Sequence, residues 1–282
     1  MNPFLIVVIL GIVEGMTEFL PVSSTGHMIL VEKFIGNGNL SKNFMESFLI
    51  IVQLGAILAV VIYFWKDLTP FVKEKNQFIS RIRLWTKVII GVLPAAIIGL
   101  LLDDYISAYF MDNVFVVATT LIFYGIILIL IEKYYKTAGK IDTLGKLSYK
   151  LAFIIGFFQC LAMIPGTSRS GSTIIGSLLL GLSRGVATEF SFFLAIPTMF
   201  GATLLKLIKN GMNYSTQEWR LIGVGTIVSF LVAYLVIKWF MSYIKKKDFV
   251  FFGVYRIICI KKYIEEHTYF KENKYEYNNF RK

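Results

Sequence analysis

The sequence predicts an all-α, polytopic integral membrane protein. Of its 282 residues, 56% are hydrophobic and only 17% are charged, whereas soluble domains carry roughly 25% charged residues. The apolar residues occur in long blocks separated by short polar strips, a pattern that differs from the amphipathic spacing of surface helices. These observations argue against a soluble enzyme. The two cysteines, Cys160 and Cys259, are too few for a disulfide framework and lack metal-ligand spacing.

Five apolar segments are long enough to span a membrane as helices. A bilayer core about 30 Å thick needs about 20 apolar residues, within a range of about 17 to 25. The segments that meet this requirement are 44–64, 84–102, 114–131, 186–205 and 221–237. The apolar N-terminus lacks the basic region and cleavage site of a signal peptide, so we expect it to belong to the mature fold.

Two further apolar regions, 4–30 and 151–182, are each interrupted by a polar string. The interruptions occupy residues 21–27 and 165–171. Non-helical backbone at membrane depth is tolerated only where it is buried in protein or lines a watery cavity. We therefore expect each region to form a helical hairpin that enters the membrane and turns back, and we expect a functional site at the two breaks.

The loops between the spans can be oriented by their basic residues, because Lys and Arg favour the cytoplasmic side. The strips 66–87, 133–150 and 245–247 are strongly basic and are expected inside, whereas 32–43, 103–113 and 206–220 are poorer in Lys and Arg and are expected outside. This topology accounts for most of the formal net charge of +11. No nucleic-acid partner is needed to explain it.

The two broken hairpins align with each other. Gly11 and Gly26 in the first have the same separation as Gly156 and Gly171 in the second, which predicts a duplication, with a chance match of short apolar strings as the alternative. The first hairpin is expected to enter from outside and the second from inside, so the repeats are predicted to be inverted. Inverted repeats place paired broken helices, and the binding site, near the membrane midplane.

These boundaries predict a single membrane domain followed by an atypical end. The predicted divisions are the membrane domain at 1–248, its first repeat at about 1–131, a basic cytoplasmic loop at 132–150, the second repeat at about 150–248, and a C-terminal segment at 249–282.

Glu14 and Glu18 lie four residues apart in an apolar stretch, so both carboxylates project from one face of a helix. A charged group near the bilayer centre costs on the order of 2.5 to 3.5 kcal/mol. Either the pair binds a cation such as Mg²⁺, which prefers oxygen ligands, or one carboxyl keeps its proton and acts as a donor. A position in the headgroup region, facing water, is the alternative.

His27 is one of only two histidines and ends the Ser-Ser-Thr-Gly run at the first break. Imidazole suits proton transfer or nucleophilic attack near neutral pH. The neighbouring glutamates favour a functional role over simple hydrogen bonding in a polar loop. The other histidine, His267, lies in the charged C-terminal tail without such neighbours.

The string PGTSRSG at 165–171 combines two glycines, the hydroxyls of Thr167, Ser168 and Ser170, and the cation Arg169. A helix is expected to begin after it, at about Ser172. Free N–H groups at a helix N-terminus, hydroxyl donors and a guanidinium together form an anion site, and phosphate is the obvious anion. The string lacks the Gly-Lys-Thr/Ser ending of a nucleotide-binding P-loop. A polar turn with an arginine at the surface is the alternative.

One break is thus acidic, with a histidine and hydroxyls, and the other is cationic and rich in donors. A diphosphate fits between them. A soluble substrate would not require the site to lie inside a membrane fold, whereas a lipid diphosphate would.

The strings EGMTEFLPVSSTGH at 14–27 and PGTSRSG at 165–171 resemble the bacterial undecaprenyl-diphosphatase family, also called bacitracin-resistance proteins. The resemblance extends to about residue 258. It implies hydrolysis of undecaprenyl diphosphate to undecaprenyl phosphate and inorganic phosphate, which recycles the lipid carrier of peptidoglycan synthesis and confers bacitracin resistance. It also implies a divalent cation, Mg²⁺ or alternatively Ca²⁺, and a site facing the outer side of the bacterial plasma membrane. We also consider a homodimer.

The resemblance assigns roles to matching positions in this chain. The catalytic set is Glu14, Glu18, Ser24, His27 and Arg169; the substrate-binding set is Ser23, Thr167, Ser168, Ser170 and Thr173; the metal ligands are Glu14 and Glu18. On this hypothesis Arg169 holds the diphosphate, and His27 activates water or attacks phosphorus itself. Ser24 is the competing nucleophile.

A transporter or lipid flippase is the main alternative, because transporters also use inverted repeats with broken helices. A transporter needs no nucleophile or general base, so the Glu-Glu-His constellation favours hydrolysis. A purely structural role does not account for Arg169.

The chain departs from the family pattern at its end. Family members finish with a further apolar span after a Tyr-Arg-Ile string, which is 255–257 here. The apolar stretch 249–260 contains Arg256 and is too short to span a membrane. The charged tail after it is interpreted as an interfacial helix, a disordered extension, or the mark of a truncated or frameshifted chain.

Overall fold

A computed structural model of the chain describes residues 1–38, 40–110, 114–134, 139–210 and 214–260. Within these ranges the chain is helical and has no β-strand, only a single bridge between Ile141 and Leu182. The helices long and apolar enough to cross a membrane are Lys42–Tyr63, Lys75–Leu102, Phe115–Tyr134, Arg184–Lys209 and Thr216–Ile244. The predicted all-α, polytopic fold and its five spans are therefore confirmed. The tail 261–282, including His267, lies outside the described residues.

The helices are numbered here in chain order. They are α1 Pro3–Thr17, α2 Ser24–Ile35, α3 Lys42–Ile51, α4 Gln53–Tyr63, α5 Trp65–Leu68, α6 Lys75–Phe110, α7 Val114–Tyr134, α8 Tyr149–Cys160, α9 Arg169–Leu179, α10 Arg184–Asn210, α11 Thr216–Ile244 and α12 Val250–Ile260. Helices α1 and α2 form the first broken hairpin. Helices α8 and α9 form the second, with a 3₁₀ turn, Leu161–Met163, after α8.

The same local structure restarts the helix in both hairpins. Ser23 caps α2 with φ 73°, and Ser168 caps α9 with φ 76°. Each serine hydroxyl accepts a hydrogen bond from the backbone N–H three residues on, at Gly26 and Gly171 respectively. A positive φ is uncommon for a residue other than glycine. Its recurrence at aligned positions supports the predicted duplication.

The breaks lie earlier in the chain than the sequence predicted. Residues 24–27 belong to α2, and α9 begins at Arg169 instead of at about Ser172. Strings rich in Ser, Thr and Gly are typical of turns, but a serine cap satisfies the first-turn N–H groups and lets the helix start within such a string.

The structure refines two predicted elements and corrects the predicted outer loop. The span predicted at 44–64 is confirmed as Lys42–Tyr63, with an irregularity at Val52 that divides it into α3 and α4. Helix α6 continues to Phe110, so most of the predicted outer loop 103–113 is helical, and its last three residues lie outside the described part. Lys87, assigned to a cytoplasmic strip, is buried in α6, where its ammonium donates to the carbonyls of Leu144 at 2.8 Å and Gly145 at 3.2 Å.

The two hairpins pack in equivalent ways, each with its first helix on a long helix of the other half. Helix α1 packs against α11, and a Cβ on Gly11 would lie 2.7 Å from the carbonyl oxygen of Gly225. Helix α8 packs against α6, where a Cβ on Gly156 would meet the carbonyl oxygen of Gly91. Such reciprocal packing supports the duplication. The inverted orientation of the repeats and their boundaries stay predictions.

Replacing Gly15 with alanine is expected to destabilise the protein by about 1 to 3 kcal/mol, the usual cost of overpacking. A Cβ there would lie 2.6 Å from the carbonyl oxygen of Ser229 and 2.9 Å from Cβ of Val232, so α1 and α11 would have to separate. Gly223→Ala is the matched control, because a Cβ there meets no atom within 4 Å. Thermal unfolding in detergent checks this; equal midpoints for the two variants would contradict it.

The loops gather at two ends of the molecule. At one end the Lys87 contacts join the basic strips 66–87 and 133–150, and the N–H of Phe249 donates to Glu132 at 3.1 Å. At the other end Lys206 pairs with Glu46 at 3.5 Å. The three strips predicted to be cytoplasmic thus lie together. Which end faces the cytoplasm stays a prediction.

An aromatic cluster packs against Phe19, which lies in the first break. The ring of Phe192 lies 4.9 Å from that of Phe19, 6.4 Å from Phe64 and 6.2 Å from Phe240, measured between centroids. All but Phe64 are fully buried, and Phe64 is nearly so. Edge-to-face aromatic pairs of this kind add stability beyond the area they bury. The cluster anchors Phe19, and therefore its neighbour Glu18.

Candidate active site

The acidic side of the site is the C-terminal end of α1. Glu14 is 1% exposed and Glu18 is 6% exposed. Glu18 follows the helix, yet its backbone N–H still donates to the carbonyl of Glu14 at 3.0 Å, so the helical register continues through it. The two carboxyl groups therefore share one face, as their spacing predicts. Each interacts electrostatically with the other and with Arg169.

Glu18 joins the two breaks. Its Oε1 accepts a hydrogen bond from Nη2 of Arg169 at 3.0 Å, and its Oε2 accepts one from the hydroxyl of Ser24 at 2.5 Å. Arg169 also donates from Nη1 to the carbonyl of Ser191 at 2.8 Å. A hydroxyl held on a carboxylate is the arrangement of a nucleophile with its base, and the arginine beside it supplies positive charge.

The hydroxyls of the second break mostly hold protein partners. Ser170 Oγ donates toward the carbonyls of Glu18 at 3.2 Å and Leu20 at 2.9 Å, and Thr173 Oγ1 lies 2.6 Å from Oγ of Ser191. Both side chains are fully buried, as is that of Thr167. The structure thus uses Ser170 and Thr173 to fasten the second break to the first and to α10. Direct substrate contact by these three residues stays a prediction.

A cavity of about 140 Å³ lies between the two breaks. Its polar lining consists of Glu18, Ser23, Ser24, Thr25, Gln53, Ser168 and Arg169. The cavity therefore brings together predicted residues from both motifs. Gln53, the first residue of α4, was missed by the sequence analysis, although a lone amide in a long apolar span is the same kind of signal that singled out the glutamates.

A larger cleft of about 550 Å³ adjoins this cavity, and Thr25 and Gln53 line both. Glu14 lies on its wall. Its other walls combine apolar side chains with charged groups at the end of the molecule that is predicted to face outside; among them are Met28, Leu30, Met45, Leu49, Lys33 and Lys206. The combination of apolar and charged walls suits a lipid with a charged head.

His27 lies in the first turn of α2 and lines neither the cavity nor the cleft. Its Nδ1 lies 2.8 Å from the carbonyl oxygen of Ser23, and its Nε2 lies 2.8 Å from the hydroxyl of Tyr255. Because a carbonyl only accepts, Nδ1 carries a proton, and in the neutral imidazole Nε2 accepts from the tyrosine. The structure brings Ser24 to the cavity and holds His27 beside it, against α12.

The site also contains a carboxyl oxygen, on Glu14, that is free to bind a cation. In the described part of the chain no three His, Cys, Asp or Glu side chains cluster as a metal site. However, Oε1 of Glu14 is buried without a hydrogen-bond partner, and Glu18 lies beside it. Two carboxylates fit Mg²⁺, which commonly takes one or two carboxylates and completes its shell with water and substrate phosphate.

Comparison with known proteins extends over most of the chain. Residues 7–260 match the family model described as "Bacitracin resistance protein BacA". The undecaprenyl-diphosphatase of Fusobacterium nucleatum subsp. nucleatum is 64% identical over 255 residues, covering 89% of this chain and 96% of the relative. Undecaprenyl-diphosphatase 1 of Clostridioides difficile is 56% identical over 253 residues, which cover 89% of this chain and 91% of the relative. An undecaprenyl-diphosphatase of Enterococcus faecalis is 51% identical over 257 residues, which cover 89% of this chain and 92% of the relative.

The matched range includes both breaks, every candidate residue and α12. The resemblance stated from the two motifs is thus confirmed over nearly the whole described chain. With a family model matched over 7–260 and relatives more than half identical, this chain belongs to the bacitracin resistance protein BacA family.

Proposed function

We propose that this protein hydrolyses undecaprenyl diphosphate to undecaprenyl phosphate and inorganic phosphate in the bacterial plasma membrane. The observation that carries the proposal is the contact of Ser24 and Arg169 with one carboxylate, Glu18, at a cavity between the two breaks. The names of the relatives support the same reaction. Bacitracin resistance follows from it, because the reaction removes the diphosphate form that the antibiotic sequesters.

The diphosphate would bind at the two helix starts. Helices α2 and α9 both begin at the cavity, so first-turn N–H groups that lack helical partners can donate to phosphoryl oxygens. The guanidinium of Arg169 adds a fixed positive charge. Phosphoryl transfer depends mainly on such positioning and charge neutralisation.

Ser24 is the nucleophile that this geometry favours. As its oxygen bonds to the terminal phosphorus, its proton passes to Oε2 of Glu18, and the bond from that phosphorus to the bridging oxygen breaks, which releases undecaprenyl phosphate. Water then attacks the phosphoserine while Glu18 returns its proton to the departing Ser24 oxygen. The proton from water passes to the freed carboxylate and on to solvent, and inorganic phosphate is the product. His27 positions the start of α2 through the Ser23 carbonyl.

Mg²⁺ is the proposed cation, held by Glu14 and Glu18. When bound it would neutralise charge on the phosphoryl oxygens. We expect EDTA to abolish phosphate release and excess Mg²⁺ to restore it. Glu14→Gln keeps the size of the side chain but loses its charge, so it should require at least about tenfold more Mg²⁺ for half-maximal activity, since an Mg²⁺ site loses one of its few carboxylates. A Mg²⁺ titration of both proteins checks this; identical titrations would remove Glu14 from the metal site.

The substrate is proposed to enter through the larger cleft, from the outer side. That cleft lies at the end of the molecule with fewer basic loops and combines apolar with charged walls. The homodimer stays a prediction.

The transporter alternative gains no support from the names of the relatives, which describe a diphosphatase. The experiment that separates the two is phosphate release from undecaprenyl or farnesyl diphosphate by detergent-purified protein. Sustained release that is lost in Glu18→Ala and Arg169→Ala would support the hydrolase. No release from folded protein, together with transfer of a labelled polyprenyl phosphate across vesicle leaflets, would support the transporter.

A further inference from the structure

Arg256 is a fully buried arginine in the apolar helix α12. It is the charge that makes this segment unlike a membrane span, and the mechanism above does not use it. In the described part of the chain, its hydrogen-bond partners are all backbone carbonyls. Its guanidinium also lies 5.9 Å from the ring centroid of Tyr124.

The carbonyls come from both breaks and from α7. Nη1 donates to the carbonyl of Pro21, in the first break, at 3.1 Å. Nη2 donates to the carbonyls of Gly166 at 2.7 Å and Thr167 at 3.0 Å, in the second break. Nε donates to Leu121 at 3.2 Å. One rigid group therefore contacts three separate parts of the chain.

The unpaired carbonyls of the two breaks explain why an arginine is suited to this position. Where a helix stops inside a membrane, its carbonyls lose their helical partners and have no bulk water to replace them. A buried charge is equally costly unless it is fully hydrogen-bonded. The guanidinium meets both needs at once, because its five N–H groups point in fixed directions within one plane. A lysine ammonium is a single compact donor centre and cannot reach carbonyls on opposite sides in the same way.

We propose that Arg256 is a positioning residue that holds the two breaks at the spacing that places Ser24 and Arg169 around one carboxylate. The proposal rests on the proposed hydrolase function for its effect on activity. It also gives α12 a role: the helix need not span the membrane, because it carries Arg256 to the breaks and Tyr255 to His27. Gly171 fits this arrangement, since a Cβ there would lie 3.3 Å from Nη1 of Arg256.

The test compares Arg256→Met and Arg256→Lys with the wild-type full chain, and uses Arg220→Met, at an exposed arginine of α11, as the matched control. Two readouts are measured in detergent: kcat and KM for farnesyl diphosphate hydrolysis, and amide hydrogen exchange of peptides covering 18–24 and 164–169. A change that misplaces reacting groups by about 1 Å can cost about 100-fold in rate. We expect kcat to fall by about that factor in Arg256→Met, with exchange rising in both breaks and little change in the other helices.

Arg256→Lys keeps the charge and most of the volume, so it is the decisive variant if Arg256→Met does not fold. Loss of kcat with faster exchange confined to the two breaks supports the proposal. It is overturned if Arg256→Lys keeps wild-type kcat and break exchange, or if exchange rises equally in all helices. If the wild-type protein itself releases no phosphate, the proposed function has failed, and the exchange measurement still decides whether Arg256 holds the breaks.

Discussion

Replacing Arg169 with methionine is expected to lower kcat for diphosphate hydrolysis by about 10³-fold or more, the scale of arginines that stabilise phosphoryl transfer. Arg169 is the guanidinium at the cavity, and it pairs with Glu18 at 3.0 Å. Its removal takes away both the positive charge for the phosphoryl oxygens and the partner that orients Glu18 toward Ser24. Arg169→Lys should recover only part of the loss, because an ammonium cannot reproduce the two-sided contact to Glu18 and the Ser191 carbonyl.

The same substitution should also weaken the fold, since breaking a buried ion pair by removing one partner costs about 3 to 5 kcal/mol. Adding Glu18→Gln to Arg169→Met removes the stranded charge. The double variant should therefore regain thermal stability in detergent while its kcat stays at the level of Arg169→Met or lower. If the double variant regained activity along with stability, neither the guanidinium of Arg169 nor the carboxylate of Glu18 would be needed for the chemistry, and both proposed catalytic roles would be wrong.

Much of the fold could be predicted because the membrane constrains sequence so strongly. A span needs about 20 apolar residues, and all five segments identified on that basis are helices of the structure. What the sequence did not show is where a helix stops. The separation of α3 from α4 at Val52 carries no proline or glycine signal, and the continuation of α6 beyond residue 102 crosses two aspartates that favoured a loop.

The site was predictable to the extent that polar residues in apolar surroundings stand out. Glu14, Glu18 and Arg169 were identified on that basis, Ser24 was assigned through the family resemblance, and the structure brings all four together. Roles within the set were not predictable, because they depend on which way a side chain points. His27 is only three residues from Ser24, yet it faces Tyr255 while Ser24 faces Glu18. Helix periodicity does not explain this difference, because residues three apart are neighbours on a helix surface. It depends on which tertiary partner each side chain reaches.

The assignment of Ser24, and not His27, as the nucleophile can be tested by trapping a covalent intermediate. Wild-type protein mixed with substrate labelled in the terminal phosphate and quenched in acid is expected to carry label on Ser24. Ser24→Ala should lose both the label and at least about 10³-fold in kcat, the scale seen when an activated nucleophile is removed. His27→Gln should still form the phosphoserine, because His27 acts on α2 through the Ser23 carbonyl and lies outside the cavity lining.

Ser242→Ala is the matched control, since Ser242 is an exposed serine whose hydroxyl donates to the Lys238 carbonyl of its own helix; it should keep wild-type label and rate. Each outcome assigns the chemistry differently. Label retained in Ser24→Ala but lost in His27→Gln would make the histidine the nucleophile, and the side chain would then have to leave Tyr255 to reach phosphorus. No label in the wild-type protein while it still releases phosphate would mean that water attacks directly, with Glu18 as the base that the Ser24 hydroxyl orients.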